Sequence, residues 1–147
     1  MWGTKSTLVI QLAKEDLNKG DGFVTGFTIN VVFWVRENSS QEPEERADAF
    51  IEDYKRKSSL VSEDQVFIDT VFTGQPFRRH GIVVDETLES MGQRTDCRLG
   101  ITTYASNALN MMIVMTFGCP RADWSTNWEI YRTICRDIVV IGKRFGR

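Results

Sequence analysis

The chain has 147 residues, 41% of them hydrophobic and 26% charged, with a formal net charge of -2 and a pI near 5.5. This length suits one domain, residues 1–147, around one core, and the composition excludes the disordered and fibrous classes. A weakly acidic balance projects no wide positive field, which excludes nucleic acid and anionic membrane as main partners.

The first run, Ser6–Glu15 (STLVIQLAKE), is short and apolar and predicts a strand. Asp16–Gly22 (DLNKGDG) is dense in Asn, Asp and Gly, which tolerate the backbone of tight turns. Beyond it Phe27, Ile29, Val31, Phe33 and Val35 alternate with Thr28, Asn30, Trp34 and Arg36, the period of a half-buried strand. The two strands flank a turn and predict an antiparallel hairpin. From Ser40 the period lengthens: Ala47, Phe50, Ile51 and Tyr54 make one stripe of an amphipathic helix. Ser39 or Ser40 is its expected cap and Pro43 sits in its first turn. Glu42, Glu44 and Glu45 oppose the positive end of the dipole, and Lys55, Arg56 and Lys57 the negative end.

Four further strands are predicted at Asp64–Phe72, Phe77–Glu89, Cys97–Ser106 and Leu109–Gly118. They are separated by the breakers TGQP, SMGQRTD and SNA, short enough for hairpins, so an antiparallel meander is the natural arrangement. The closing segment Ser125–Ile141 predicts a helix, with Thr126 and Glu129 as a capping box and Trp128, Tyr131, Cys135, Ile138 and Val139 as its apolar stripe. The tail Gly142–Arg147 is expected to fray. Two helices with one apolar stripe each need a sheet to lie on, so the fold class is α+β, with the helices packed on an antiparallel sheet in an αβα sandwich.

The longest apolar run, NMMIVMTF at Asn110–Phe117, is far short of the roughly 20 residues that cross a bilayer, and the start shows no secretory leader pattern. Cys97, Cys119 and Cys135 are widely spaced and contain no C-x-x-C, which argues against a zinc site or a disulfide framework and places the chain in the reducing cytoplasm. In an exported chain, Cys119 and Cys135 are the pair that could bridge.

The stretch Phe72–Ser90 holds the only histidine, His80, near Arg78, Arg79, Asp85, Glu86 and Glu89. Alternation divides this cluster. Arg78, His80, Ile82, Val84 and Glu86 share one face, and Phe77, Arg79, Gly81, Val83 and Asp85 share the other. The expected outcome is a charged strand end projecting into water. A Cys97–His80 nucleophile pair is disfavoured because hairpin pairing sets Cys97 nearer Ser90. The carboxylates Asp69, Asp85, Glu86, Glu89 and Asp96 show no spacing that singles out an acid and a base. No phosphate-cradling glycine motif, EF-hand or metal-ligand spacing occurs, so no catalytic residue, cofactor or metal is assigned. Residues assigned to a partner surface are Trp34, which faces away from the apolar stripe, Phe77, Trp124 in the loop before the last helix, and Met112 among the adaptable methionines of the last strand. Trp124 also has a bland reading, as a plug over the core edge.

The hairpin through FTINVVFWV, the helix PEERADAFIEDYKRK, the meander ending LNMMIVMTF and the closing helix NWEIYRTICRDIV together resemble the PsbP-like α/β/α sandwich. That fold is seen in extrinsic photosystem proteins, a Ran-binding import factor, DcrB-like proteins and the Eag chaperones of type VI secretion. The resemblance rests on element order and implies an accessory role through protein contacts, chaperone-like or immunity-like. The alternative expectation is a small-ligand-binding or hydrolytic protein using His80 or the meander carboxylates.

Overall fold

A computed structural model describes residues 7–13, 25–68, 77–90 and 92–145, and all their side chains except those of 66–68, 90 and 135–145. Six strands, β1 (Thr7–Ala13), β2 (Gly26–Phe33), β3 (Ser59–Ile68), β4 (Phe77–Ser90), β5 (Gln93–Ser106) and β6 (Met111–Pro120), form one sheet in the order β1-β2-β6-β5-β4-β3. Every neighbouring pair is antiparallel. The N-terminal hairpin and the four-strand meander are thus both present, joined where β2 pairs with β6. The helices among the described residues are α1 (Val35–Ser39), α2 (Pro43–Lys57) and α3 (Trp124–Phe145), α3 entered through a short 3-10 turn at Arg121–Asp123. The class is α+β. Among the described residues no helix is long and apolar enough to cross a membrane.

Strand parity divides the core into two layers. Toward α2 point Ile82 and Val84 of β4, Ile101 and Ala105 of β5 and Met112 and Val114 of β6, which close on Ala47 and Ile51 of the helix. Toward α3 point Phe27 and Ile29 of β2 and Met115, Phe117 and Cys119 of β6, which close on Tyr131 with Trp124 and Trp128 beside it. Residues one apart on β6 therefore serve different helices, and α2 and α3 lie on opposite faces. Ile51 is fully buried, a position where an aliphatic side chain contributes roughly 1.5–3 kcal/mol.

Several boundaries differ from expectation, each for a local reason. The second strand was expected to continue through Arg36, but it stops at Phe33 because Trp34 adopts φ 50°, ψ 51°, a left-handed conformation that no strand accommodates, and α1 begins there. Ser40 ends α1 at φ 58°, so neither Ser39 nor Ser40 caps α2. Glu42 does, its N–H donating to Glu45 Oε2 at 3.3 Å. Strand β3 begins at Ser59, directly after α2 and five residues ahead of expectation. The hairpin expected across SMGQRTD is tighter, with Ser90 paired to Gln93 and Gly92 at φ 76° between them. Helix α3 starts at Trp124, which puts Thr126 inside it, and its backbone continues through Gly142 to Phe145, where fraying was expected. The turn at Asp16–Gly22 and the residues Asp69–Pro76 fall outside the described residues, as do the side chains of Cys135, Ile138 and Val139.

Candidate functional site

His80 is where the structure departs most from a charged strand end. The parity reading holds: His80, Ile82 and Val84 point together toward α2. The ring, however, is 2% exposed, sealed beneath the helix. Burying an imidazole without partners is costly, and the partners come from two other elements. Nε2 lies 2.7 Å from Glu63 Oε1 on β3, and Nδ1 lies 3.3 Å from Asp48 Oδ1 on α2. The Gln65 amide, directly across the strand pair, approaches Nε2 at 3.4 Å.

The two carboxylates are themselves held. Arg78 Nη2 sits 2.6 Å from Asp48 Oδ1 and donates to the Glu44 carbonyl at 2.7 Å, which pins the first turns of α2 to β4. Lys55 Nζ reaches Glu63 Oε2 at 3.1 Å and Glu52 Oε1 at 2.9 Å. The bonds from His80 first, then from Lys55, hold the Glu63 carboxyl below the usual carboxylate range. The result is one chain of polar contacts, Arg78–Asp48–His80–Glu63–Lys55, running between helix and sheet.

The other candidate chemistries do not assemble. Cys97 pairs with Glu86 and His80 with Thr103. Six residues of strand, roughly 20 Å, therefore separate the thiol from the ring. Asp85 accepts a bidentate contact from Arg98 (2.7 and 3.0 Å) and lies 3.5 Å from Arg121, and its carboxyl is lowered chiefly by the Arg98 bond. Glu86 lies 3.4 Å from the Ser58 hydroxyl and Asp96 accepts from Thr87 at 3.0 Å. Glu89 is exposed, and Asp69 lies outside the described residues. Asp85 and Glu86 line an open polar groove of about 490 Å³ together with Arg56, Lys57 and Arg121. Among the described residues no group of three or more His, Cys, Asp or Glu is placed to hold a metal ion.

The four residues assigned to a partner surface are scattered. Met112 is buried with Val35, Ala47 and Ala105 on the α2 face. Phe77 is buried on the opposite face. Trp124 is half-buried, stacked on Trp128 at 4.8 Å and packed on Phe117 at 5.8 Å, with the Arg98 guanidinium 5.9 Å from its ring. Trp34 alone of the four presents a large exposed surface, 52%. Its left-handed backbone is locked by the 107–110 turn: Val35 N–H donates to the Asn110 carbonyl, Arg36 N–H to Asn110 Oδ1, and the Asn110 amide to Glu37 Oε2.

Sequence reasoning missed a different apolar surface. In β1, Leu8, Val9, Ile10 and Leu12 are each at least 43% exposed. Register places Leu8, Ile10 and Leu12 opposite Val31, Ile29 and Phe27, so they extend the apolar stripe of the α3 face past the core to the sheet edge. Phe33, 40% exposed, lies at the end of the same stripe. The signal was present in TLVIQLA, where the side chains of one parity, Leu8, Ile10 and Leu12, are all apolar.

No family model matches the sequence, and no curated protein matches it. Among solved structures, PA94 from Pseudomonas aeruginosa, a protein of unknown function described as a candidate regulator, aligns over 91% of this chain and 82% of its own length. The TM-score is 0.50 at 12% identity. The two chains are similar in fold.

Proposed function

We propose that this chain is a non-catalytic, protein-binding accessory domain, chaperone-like or immunity-like, that holds a partner segment at the β1 edge of its sheet. One observation carries the reading: among the described residues β1 is an outermost strand, paired with β2 alone, and it displays Leu8, Ile10 and Leu12 in a row along that edge of the sheet. An edge strand with apolar side chains and open backbone donors and acceptors is a hazard unless something occupies it, and strand addition is a common way for a protein to do so. The element order that resembles PsbP-like accessory proteins supports the same role. The enclosure of His80 beneath α2 supports a non-catalytic reading, since both ring nitrogens already face protein carboxylates. The buried thiol of Cys119 suits a cytoplasmic setting.

The test is site-specific photo-crosslinking in cells that naturally make the protein. A photoreactive residue at Ile10 captures one discrete protein, whereas the same residue at the exposed polar position Arg94 does not. Ile10→Lys, at a site already 43% exposed, leaves the fold intact and abolishes capture from a neighbouring probe at Leu12. Equal crosslinking from Ile10 and Arg94, or none from either, overturns the reading.

A further inference from the structure

The charged chain beneath α2 is not part of the β1 surface, and its two imidazole contacts differ in kind. Glu63 lies on β3, the strand hydrogen-bonded beside β4, so the Nε2 contact runs within the sheet. Asp48 lies on α2, so the Nδ1 contact crosses from the sheet to the helix. A neutral imidazole carries one N–H and one lone pair. It therefore satisfies one carboxylate and turns a lone pair toward the other. The shorter contact, 2.7 Å against 3.3 Å, puts the first proton on Nε2, toward Glu63. Nδ1 then faces an oxygen of Asp48 with no hydrogen between them until a second proton arrives.

From this geometry we infer that His80 is a proton-operated tie: uptake of a proton at Nδ1 forms the bond to Asp48 that fastens α2 to the sheet, and its loss releases that bond while the Glu63 bond persists. The groups that face the ring or its partners come from every neighbouring element. Helix α2 supplies Asp48, with Glu44 behind it at Arg78 and Lys55 behind Glu63. Strand β3 supplies Glu63 and the uncharged Gln65, and β4 supplies Arg78. Strand β5 supplies only the Thr103 hydroxyl, which donates to the His80 carbonyl at 3.3 Å. Arg78 and Lys55 each neutralise one carboxylate, so the cluster tolerates a neutral ring without coming apart. Arg78 and the doubly protonated ring then share one oxygen of Asp48. The cross-layer bond exists when the ring is doubly protonated and is lost with the second proton.

His80 is the only histidine, so ¹⁵N-histidine labelling gives one pair of ring signals. The experiment follows those signals from about pH 8 to about pH 5.5, a span that brackets the ordinary histidine range. Hydrogen exchange of the α2 amides Ala47–Ile51 is measured over the same range and corrected for intrinsic rates. Protection is expected to rise about ten- to a hundredfold as Nδ1 takes its proton, the usual size of one hydrogen bond to a charged group. Asp48→Asn abolishes that rise. Glu44→Gln, which removes a 3.8 Å contact to Arg78 without touching the ring, preserves it. A ring that titrates with no change in α2 protection overturns the inference. So does a ring that keeps one state throughout, or an Asp48→Asn protein that retains the full rise.

Discussion

Gly100→Ala tests the packing of α3 on the sheet with the smallest possible probe. A Cβ at this β5 position would lie 2.9 Å from Trp128 Cζ3, 3.2 Å from Tyr131 Cε1 and 3.3 Å from Trp124 Cη2. Carbon atoms in ordinary contact sit about 3.5–4.0 Å apart, so at least one ring must retreat. None can do so alone: Trp124 stacks on Trp128 at 4.8 Å, Trp128 meets Tyr131 at 5.1 Å, and Tyr131 stacks on Phe117 at 5.1 Å. Overpacking of this kind costs about 1–3 kcal/mol. Replacing a strand glycine by alanine offsets about 0.5–1 kcal/mol by restricting the unfolded chain. The net expectation is a loss centred on about 1 kcal/mol, a fall in Tm of about 2–4 °C for a domain of this size. Urea unfolding followed by tryptophan fluorescence measures it. Gly81→Ala is the matched control, because its new Cβ would be crowded only by Asp64 Oδ1 at 2.8 Å, the far end of a side chain free to swing away, and would meet Thr102 Oγ1 at an ordinary 3.6 Å. That swing loosens an exposed pair with Arg79, worth about 0–1 kcal/mol, and the control should stay within about 0.5 kcal/mol of the parent after the backbone gain. Equal stability of Gly100→Ala and the parent, or equal losses at both glycines, would refute the packing argument.

Three further outcomes follow from single side chains. Ile51→Ala, at a fully buried site between α2 and the sheet, should lose about 2–5 kcal/mol in the same urea assay. Asp85→Asn should lose about 1–2 kcal/mol near neutral pH by weakening its bidentate contact with Arg98. The folded Asp85 carboxyl is depressed below its unfolded value, so its contribution is present above the unfolded titration range and lost as pH falls through the folded one. The gap between parent and variant should therefore close in acid, and a gap that stays constant down to about pH 2 would exclude this origin. Burial pushes the Cys119 thiol up to about 11, so the native protein should leave its Cys119 peptide unmodified by iodoacetamide at about pH 8, with full modification in denaturant. Rapid native labelling would show that β6 opens.

Period-two and helical stripes sufficed for most of the fold. Phe27 and Ile29 on β2 and Ala47 and Ile51 on α2 are buried as their spacing implies, and they dictate which face of each element meets the other layer. Boundaries escaped where backbone conformation was decided from a distance. Trp34 leaves the strand where the next two residues, Val35 and Arg36, donate their N–H groups to Asn110, 76 positions beyond Trp34 in the chain, and α1 and the Glu42 cap follow from that turn. A window of sequence holds no trace of such a partner. The early start of β3 has the same origin, since Ser59–Glu63 are drawn into the sheet by pairing with Ile82–Asp85 and not by their own alternation.

The surroundings of His80 were half legible for the same reason. Alternation along β4 puts His80 in line with Ile82 and Val84, and a histidine on an apolar stripe already demands a buried partner, because an imidazole is too polar to be covered by aliphatic side chains alone. The two acids that answer the demand, Asp48 and Glu63, lie on separate elements 32 and 17 positions away. By composition each is one more carboxylate on a well-charged surface. Asp48 lies just outside the buried Ile51 on the helical wheel of α2, at the margin where helix meets sheet. A carboxylate at that margin is the residue to examine whenever a facing strand carries a single inward imidazole: the helix stripe supplies the lid, the strand supplies the base, and the acid sits where the two surfaces close.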